Sequence, residues 1–186
     1  MTTHGGGRRT TRGPEQPPLH LVFMGVSGSG KSTAALAVQE LLGWEFAEGD
    51  DFHPPENIAK MQSGRALTDA DRWGWLETLA QWTKERDDAG VSTLLSCSAL
   101  RRSYRDVLRR GGAGTFFVHM TGDKGLLLQR MQSREHFMPP TLLESQLDTL
   151  EQLEGDEEGM VIDVAHPPER IAAMVLARLD LSPAHS

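Results

Sequence analysis

HLVFMGVSGSGKSTAALAVQELL, residues His20 to Leu42, decides the fold. Gly25, four further residues and then Gly30-Lys31-Ser32 complete a phosphate-loop pattern, and the apolar run Leu21 to Met24 before it reads as a buried parallel strand. A loop that wraps a β-phosphate needs backbone N–H groups converging on one point. Gly25, Gly28 and Gly30 permit the dihedrals and the close approach this requires. The helix from Ser32 onward aims its positive dipole end at the anion. Lys31 reaches the β- and γ-phosphates as a point charge, and the Ser32 hydroxyl is placed to ligate Mg²⁺. Ala34, Ala35, Ala37, Val38, Leu41 and Leu42 give the helix a broad apolar face for a sheet. A simple glycine turn would leave Lys-Ser at the helix start unexplained, so the stretch predicts a nucleoside triphosphate site.

Outward from this stretch, strand and helix alternate five times over short connections, the pattern of an α/β fold with a five-stranded parallel sheet. Trp44–Glu48 reads as the second strand, ending in Gly49-Asp50-Asp51-Phe52-His53-Pro54-Pro55. A short helix is predicted over Asn57–Gln62, and a longer one, capped by Asp71, over Trp73–Arg86. Val91–Cys97 is the third strand, followed by a helix over Ala99–Arg110 capped by Ser98. Arg101, Arg105 and Arg109 recur every four residues there and read as a solvated stripe, while Arg102, on another face, can point to the site. Thr115–Met120 is the fourth strand, with helices over Asp123–Arg134 and Thr141–Leu153 around a Pro-rich break. Glu154–Glu158 reads as a solvated acidic turn, Met160–Val164 as the last strand and Glu169–Leu179 as the final helix, opened by Pro168.

The chain has 186 residues, enough for one full core plus a tail and a lid. Residues 1–18, rich in Gly, Arg and Pro with little to bury, read as a disordered tail before a single domain at 19–186, with the lid around 130–142. A net charge of −7 argues against general nucleic-acid binding. The single cysteine, Cys97, excludes an intrachain disulfide and suits a reducing compartment. With neither a secretory apolar core nor a membrane-spanning stretch, the sequence predicts a cytoplasmic protein that binds no membrane.

Other residues must choose among switches, motors and small-molecule kinases. No Asn-Lys-x-Asp segment reads guanine, and Asp87-Asp88-Ala89-Gly90 follows a polar helix end rather than a hydrophobic strand. The third strand ends without the acidic residue a motor ATPase carries. Carboxylates stand instead after the second strand, at Glu48, Asp50 and Asp51, where they suit an acceptor hydroxyl that must be oriented and relieved of its proton. Asp50 also suits an outer-shell position on Mg²⁺. Arg130 and Arg134, four apart on the helix leading into the break, suit a lid that delivers guanidinium groups to a transferring phosphate.

Gly25–Ser32, Gly49-Asp50-Asp51-Phe52-His53-Pro54, Asn57–Met61, Gly64–Arg72, Cys97–Asp106 and His136-Phe137-Met138-Pro139 together resemble the thermoresistant type of gluconokinase, a P-loop, nucleoside monophosphate kinase-like family, from about Leu19 to the last helix. The resemblance implies transfer of the ATP γ-phosphate to the C6 hydroxyl of D-gluconate with Mg²⁺, and a homodimer. It implies that Gly25, Ser27, Gly28, Ser29, Gly30, Lys31, Ser32 and Thr33 hold the phosphates, that Asp50 deprotonates the acceptor, and that Arg130 and Arg134 clamp the phosphates. Arg72 and Lys60 become candidates for the gluconate carboxylate, His53 for a sugar hydroxyl, His136 for a contact from the lid, and the backbone around His166 for adenine. Two residues depart from the pattern: Gly74 stands where proline is expected, and Glu48 where aspartate is common. Competing readings are a shikimate or adenylylsulfate kinase on the same fold, and a nucleotide-binding regulatory ATPase.

Overall fold

The computed structural model describes residues 16–133 and 139–184. Its order is β1 (His20–Met24), α1 (Lys31–Leu42), β2 (Glu45–Glu48), a 3-10 turn (Gly49–Phe52), α2 (Pro55–Gln62), α3 (Asp69–Asp88) and β3 (Thr93–Ser96). Then follow α4 (Arg102–Arg109), β4 (Thr115–Thr121), α5 (Lys124–Gln132), α6 (Pro140–Thr149), β5 (Gly159–Asp163) and α7 (Pro168–Leu179). The strands form one parallel sheet in the order β2-β3-β1-β4-β5. Every residue of β1 is buried, as its unbroken apolar run requires of a central strand covered on both faces.

Successive residues of β4 show how the layers lie. Phe116 faces the Arg178 guanidinium of α7, and Phe117 faces that of Arg109 on α4. Neighbouring strand residues point to opposite faces, so α7 and α4 cover opposite sides. Helix α1 packs with α7 and α3 with α4, completing three layers. Strand order reverses at β1, which puts the crevice beyond its carboxyl end, and the glycine-rich loop in that crevice.

Several boundaries differ from expectation for local reasons. Helix α3 begins at Asp69, capped by Thr68 and not by Asp71; the Thr68 hydroxyl accepts from Asp71 N–H while the Asp71 carboxylate accepts from Thr68 N–H. Helix α4 begins at Arg102 without a side-chain cap, because Cys97 and Ser98 continue the pairing with β1 and its loop, and Ala99 then turns at a left-handed φ of 47°. Helix α6 stops at Thr149; beyond it Glu151 N–H donates to the Leu100 carbonyl.

The arginine stripe is solvated at Arg101 but not at its centre. Arg105 is fully buried and donates to both Glu157 carboxylate oxygens and to the carbonyls of Ala99, Leu100, Glu151 and Gln152. Glu157 in the acidic turn is correspondingly buried. Burial pushes its carboxyl up, but the bonds from Arg105, the Glu154 amide and Arg109 prevail and hold it at about 2. The tail before residue 16 and the centre of the expected lid, 134–138, lie outside the described residues. Among the described residues no helix is long and apolar enough to cross a membrane.

Candidate active site

The loop between β1 and α1 turns through glycines that no other residue replaces cheaply. Gly25 has φ 145°, and a Cβ there would stand 2.5 Å from the Met120 carbonyl oxygen; Gly28 has φ 80°, and its Cβ would stand 2.6 Å from the Leu127 carbonyl oxygen. The loop is thereby pressed against β4 and α5 and separates two clefts. Ser29, Gly30 and Thr33 border one, with Arg130 from α5 and His166-Pro167 from the loop after β5. Ser27 and Lys31 border the other, with Asp50, His53 and Arg72. Arg134 and His136 lie outside the described residues.

The second cleft gathers Lys31 and the residues expected to handle an acceptor. Asp50, on the 3-10 turn beyond β2, keeps its side chain 69% exposed, as a group that must meet a ligand requires. His53 lies beneath it, stacked on Trp75 with ring centroids 3.9 Å apart, and Trp75 Nε1–H in turn donates to the Gly49 carbonyl at 2.8 Å. The Asn57 carboxamide nitrogen donates to the Asp71 carbonyl at 2.8 Å and stands 3.3 Å from His53 Nδ1. Nδ1 is therefore the acceptor, and Nε2 carries the proton, facing Asp50 at 3.8 Å. Burial, reinforced by the nearby Arg72 charge, lowers the His53 pKa to about 4, so the ring is neutral near pH 7.

Arg72 Nη1 donates to the Leu67 carbonyl at 2.8 Å and to Tyr104 Oη at 3.0 Å, and the guanidinium has no carboxylate partner among the described residues. A fixed, uncompensated cation beside the cleft suits an anionic acceptor. Two other expected cations are placed differently. Lys60 gives its ammonium to Asp71 at 2.7 Å and does not border the cleft. Arg102 turns to Asp106, Glu154 and Asp156 at 2.6–2.9 Å, away from the cleft, because the acidic turn folds back onto α4.

Glu48, one of the carboxylates expected after the second strand, stands against the Ser32 hydroxyl and also accepts from Ser96. Sequence reasoning missed two elements. Tyr104 holds Arg72. Gln146 of α6 borders the second cleft and accepts from Ser27 N–H at 2.6 Å, a contact across 119 positions that no local pattern announces. The register pairing Glu48 with Ser96 follows once the strand order is known.

No family model matches the chain. A curated gluconokinase from Gluconobacter oxydans is 50% identical over 145 residues, covering 77% of this chain and 81% of that protein. A solved sugar kinase from a Janibacter species superposes with a TM-score of 0.86 at 54% identity, covering 91% of this chain and 100% of that one. A gluconokinase structure from Sinorhizobium meliloti gives a TM-score of 0.77 at 46% identity, with 89% and 95% covered. An APS kinase from Mycobacterium tuberculosis, at 20% identity and a TM-score of 0.66, shares the fold alone.

Proposed function

The chain belongs to the gluconokinase family, and from that premise we propose how its two clefts divide the reaction. The enzyme phosphorylates gluconate with ATP. The glycine loop with Lys31, together with Arg130 and the His166 backbone, holds the donor nucleotide, and the second cleft holds gluconate. The observation that carries this reading is the convergence of Lys31, Asp50 and Arg72 on one cleft beside the loop.

In this reading Arg72 takes the gluconate carboxylate, which turns the far end of the six-carbon chain, the C6 hydroxyl, toward Lys31. Asp50 accepts the hydroxyl proton as the oxygen attacks the γ-phosphorus; the new O–P bond forms while the bond to the β-phosphate oxygen breaks, and ADP leaves. Lys31 neutralises charge on the transferring group. His53, neutral, presents its Nε2–H to the cleft beside Asp50, 3.8 Å from that carboxylate, as a donor for a sugar hydroxyl. Arg134 and His136 would close over the phosphates from a lid at 130–142.

Mg²⁺ takes oxygen ligands and is usually held by few protein groups plus substrate phosphates. Ser32 fits that role: its hydrogen is directed to Glu48, which leaves the oxygen lone pairs for the metal. A Mg²⁺ ion held at the Ser32 hydroxyl would supply positive charge to offset that of the donor phosphates. A homodimer in the cytoplasm completes the proposal, from the family resemblance and the composition.

A coupled assay of ATP consumption tests the function. Turnover should depend strongly on gluconate; equal rates with and without it would instead favour a regulatory ATPase, and preference for shikimate or adenylylsulfate would favour the competing kinases.

A further inference from the structure

Gln146 is the one side chain of α6 that reaches the loop at its acceptor side. Buried Leu142 and Leu143 seat the helix, so Gln146 is presented from a packed element. The Ser27 N–H can be met only by an acceptor, which identifies the atom at 2.6 Å as Oε1 and turns Nε2 away from the loop. Nε2 has no hydrogen-bond partner among the described residues. The same side chain borders the cleft shared by Asp50, His53 and Arg72.

A linear polyhydroxy acid offers several hydroxyl oxygens that need donors. In this cleft Asp50 accepts, Arg72 is matched to a carboxylate, and Lys31 is directed to phosphate. A neutral carboxamide can donate to a hydroxyl without adding charge beside the γ-phosphate. We propose that Gln146 reads the acceptor: Nε2 donates to one secondary hydroxyl of the sugar acid while Oε1, anchored on Ser27 N–H, ties that hydroxyl to the loop carrying the donor phosphate. The proposal rests on the gluconokinase reading and assigns specificity to a residue outside the segments that carry the family resemblance.

The test is Gln146→Met, close in volume and without polar atoms. Steady-state kinetics would be measured with gluconate and with each of its monodeoxy analogues, and nucleotide affinity by direct titration with a non-hydrolysable ATP analogue. Loss of one neutral hydrogen bond should raise the gluconate KM roughly three- to tenfold. Nucleotide Kd should change less than the gluconate KM, because Oε1 meets the loop at the Ser27 N–H alone whereas Nε2 is the group offered to the acceptor. One monodeoxy acid that the wild type rejects should be handled by the variant as well as gluconate is, because its missing hydroxyl is the one Gln146 reads. An unchanged gluconate KM, an equal loss of nucleotide affinity, or an intact pattern of discrimination would each overturn the assignment. Wild-type enzyme indifferent to gluconate would remove the functional reading itself, and the proposal with it.

Discussion

Ser32, in the first turn of α1, donates its hydroxyl hydrogen to Glu48 Oε2 at the end of β2, while Ser96 on the intervening β3 donates to Oε1 of the same carboxylate. The third strand ends in a serine, and the neighbouring strand supplies the acid across it. Gly49 makes the approach possible, since a Cβ there would collide with the Ser96 carbonyl. The longer arm of glutamate, where the resemblance implied aspartate, is thus taken up by reaching over one strand.

Glu48→Gln should raise the Mg²⁺ concentration needed for half-maximal activity by about tenfold, the usual cost of losing a group that orients a metal ligand. The gluconate KM should change little, because Glu48 faces Ser32 and not the acceptor cleft. A Mg²⁺ titration at saturating gluconate checks this; a shift confined to gluconate would assign Glu48 elsewhere.

Asp50→Asn should lower kcat by roughly 10²–10⁴-fold, since the acceptor hydroxyl loses its base. Lys31→Ala should cost roughly 10²–10³-fold through lost stabilisation of the transferring phosphoryl group. Asp50→Asn should keep the wild-type melting temperature, Asp50 being largely exposed. Wild-type turnover in Asp50→Asn would refute its role.

Arg72→Ala should raise the gluconate KM about ten- to a hundredfold, the scale of a lost charge-assisted pair, with the ATP KM little affected. Tyr104→Phe removes the hydroxyl that accepts from Arg72 and donates to Asp69, and should give a smaller rise in the same parameter. The two variants combined should not exceed Arg72→Ala alone, since Tyr104 acts through Arg72.

Short-range chemistry made the central parts legible. The β1–loop–α1 unit is contiguous in sequence, and an unbroken apolar strand followed by Gly-Lys-Ser leaves few alternatives. Asp50 and His53 were legible because strand carboxyl ends collect ligands. In the stripe at Arg101, Arg105 and Arg109 the first is exposed as expected, but Arg105 was misread because a spacing of four fixes a shared face and not what covers it; Glu157, 52 positions away, covers it. The Thr68 cap was in reach, as Thr-x-x-Asp before a helix is a capping-box signal, whereas the left-handed turn at Ala99 has no composition cue. Gln146 was illegible in principle, its partner Ser27 being fixed only by tertiary packing.

Glu157→Gln should destabilise the fold by about 3–5 kcal/mol, the cost of leaving one member of a buried pair uncompensated, as read from urea unfolding. Arg105→Met should cost at least as much, since it also orphans the carbonyls of Ala99, Glu151 and Gln152, the first of them at the turn that brings Ser98 and Leu100 to the acceptor cleft. Near-wild-type stability in both variants would show that the buried pair is dispensable.

Acid should weaken the fold in a window set by its buried histidines. Burial lowers the pKa of His53 and of His119 to about 4, the nearby Arg72 and Arg105 charges adding respectively, and burial also lowers that of His20. The unfolded chain protonates these rings near 6.5, so between pH 6.5 and 4 it binds more protons than the native state, and stability falls with falling pH. Above about 6.5 their contribution is complete and the slope vanishes. Glu157, held at about 2, adds its own loss only below its unfolded value of 4.5, which leaves pH 6.5 to 4.5 to the histidines. His119 isolates the effect, because neither ring nitrogen has a partner among the described residues. His119→Leu should be near neutral or stabilising at pH 7.5, removing orphaned polar atoms, and should flatten the decline toward pH 4.5 by up to roughly 3 kcal/mol. Melting curves of both proteins across that range check the sign; parallel declines would mean that His119 is already protonated in the folded chain.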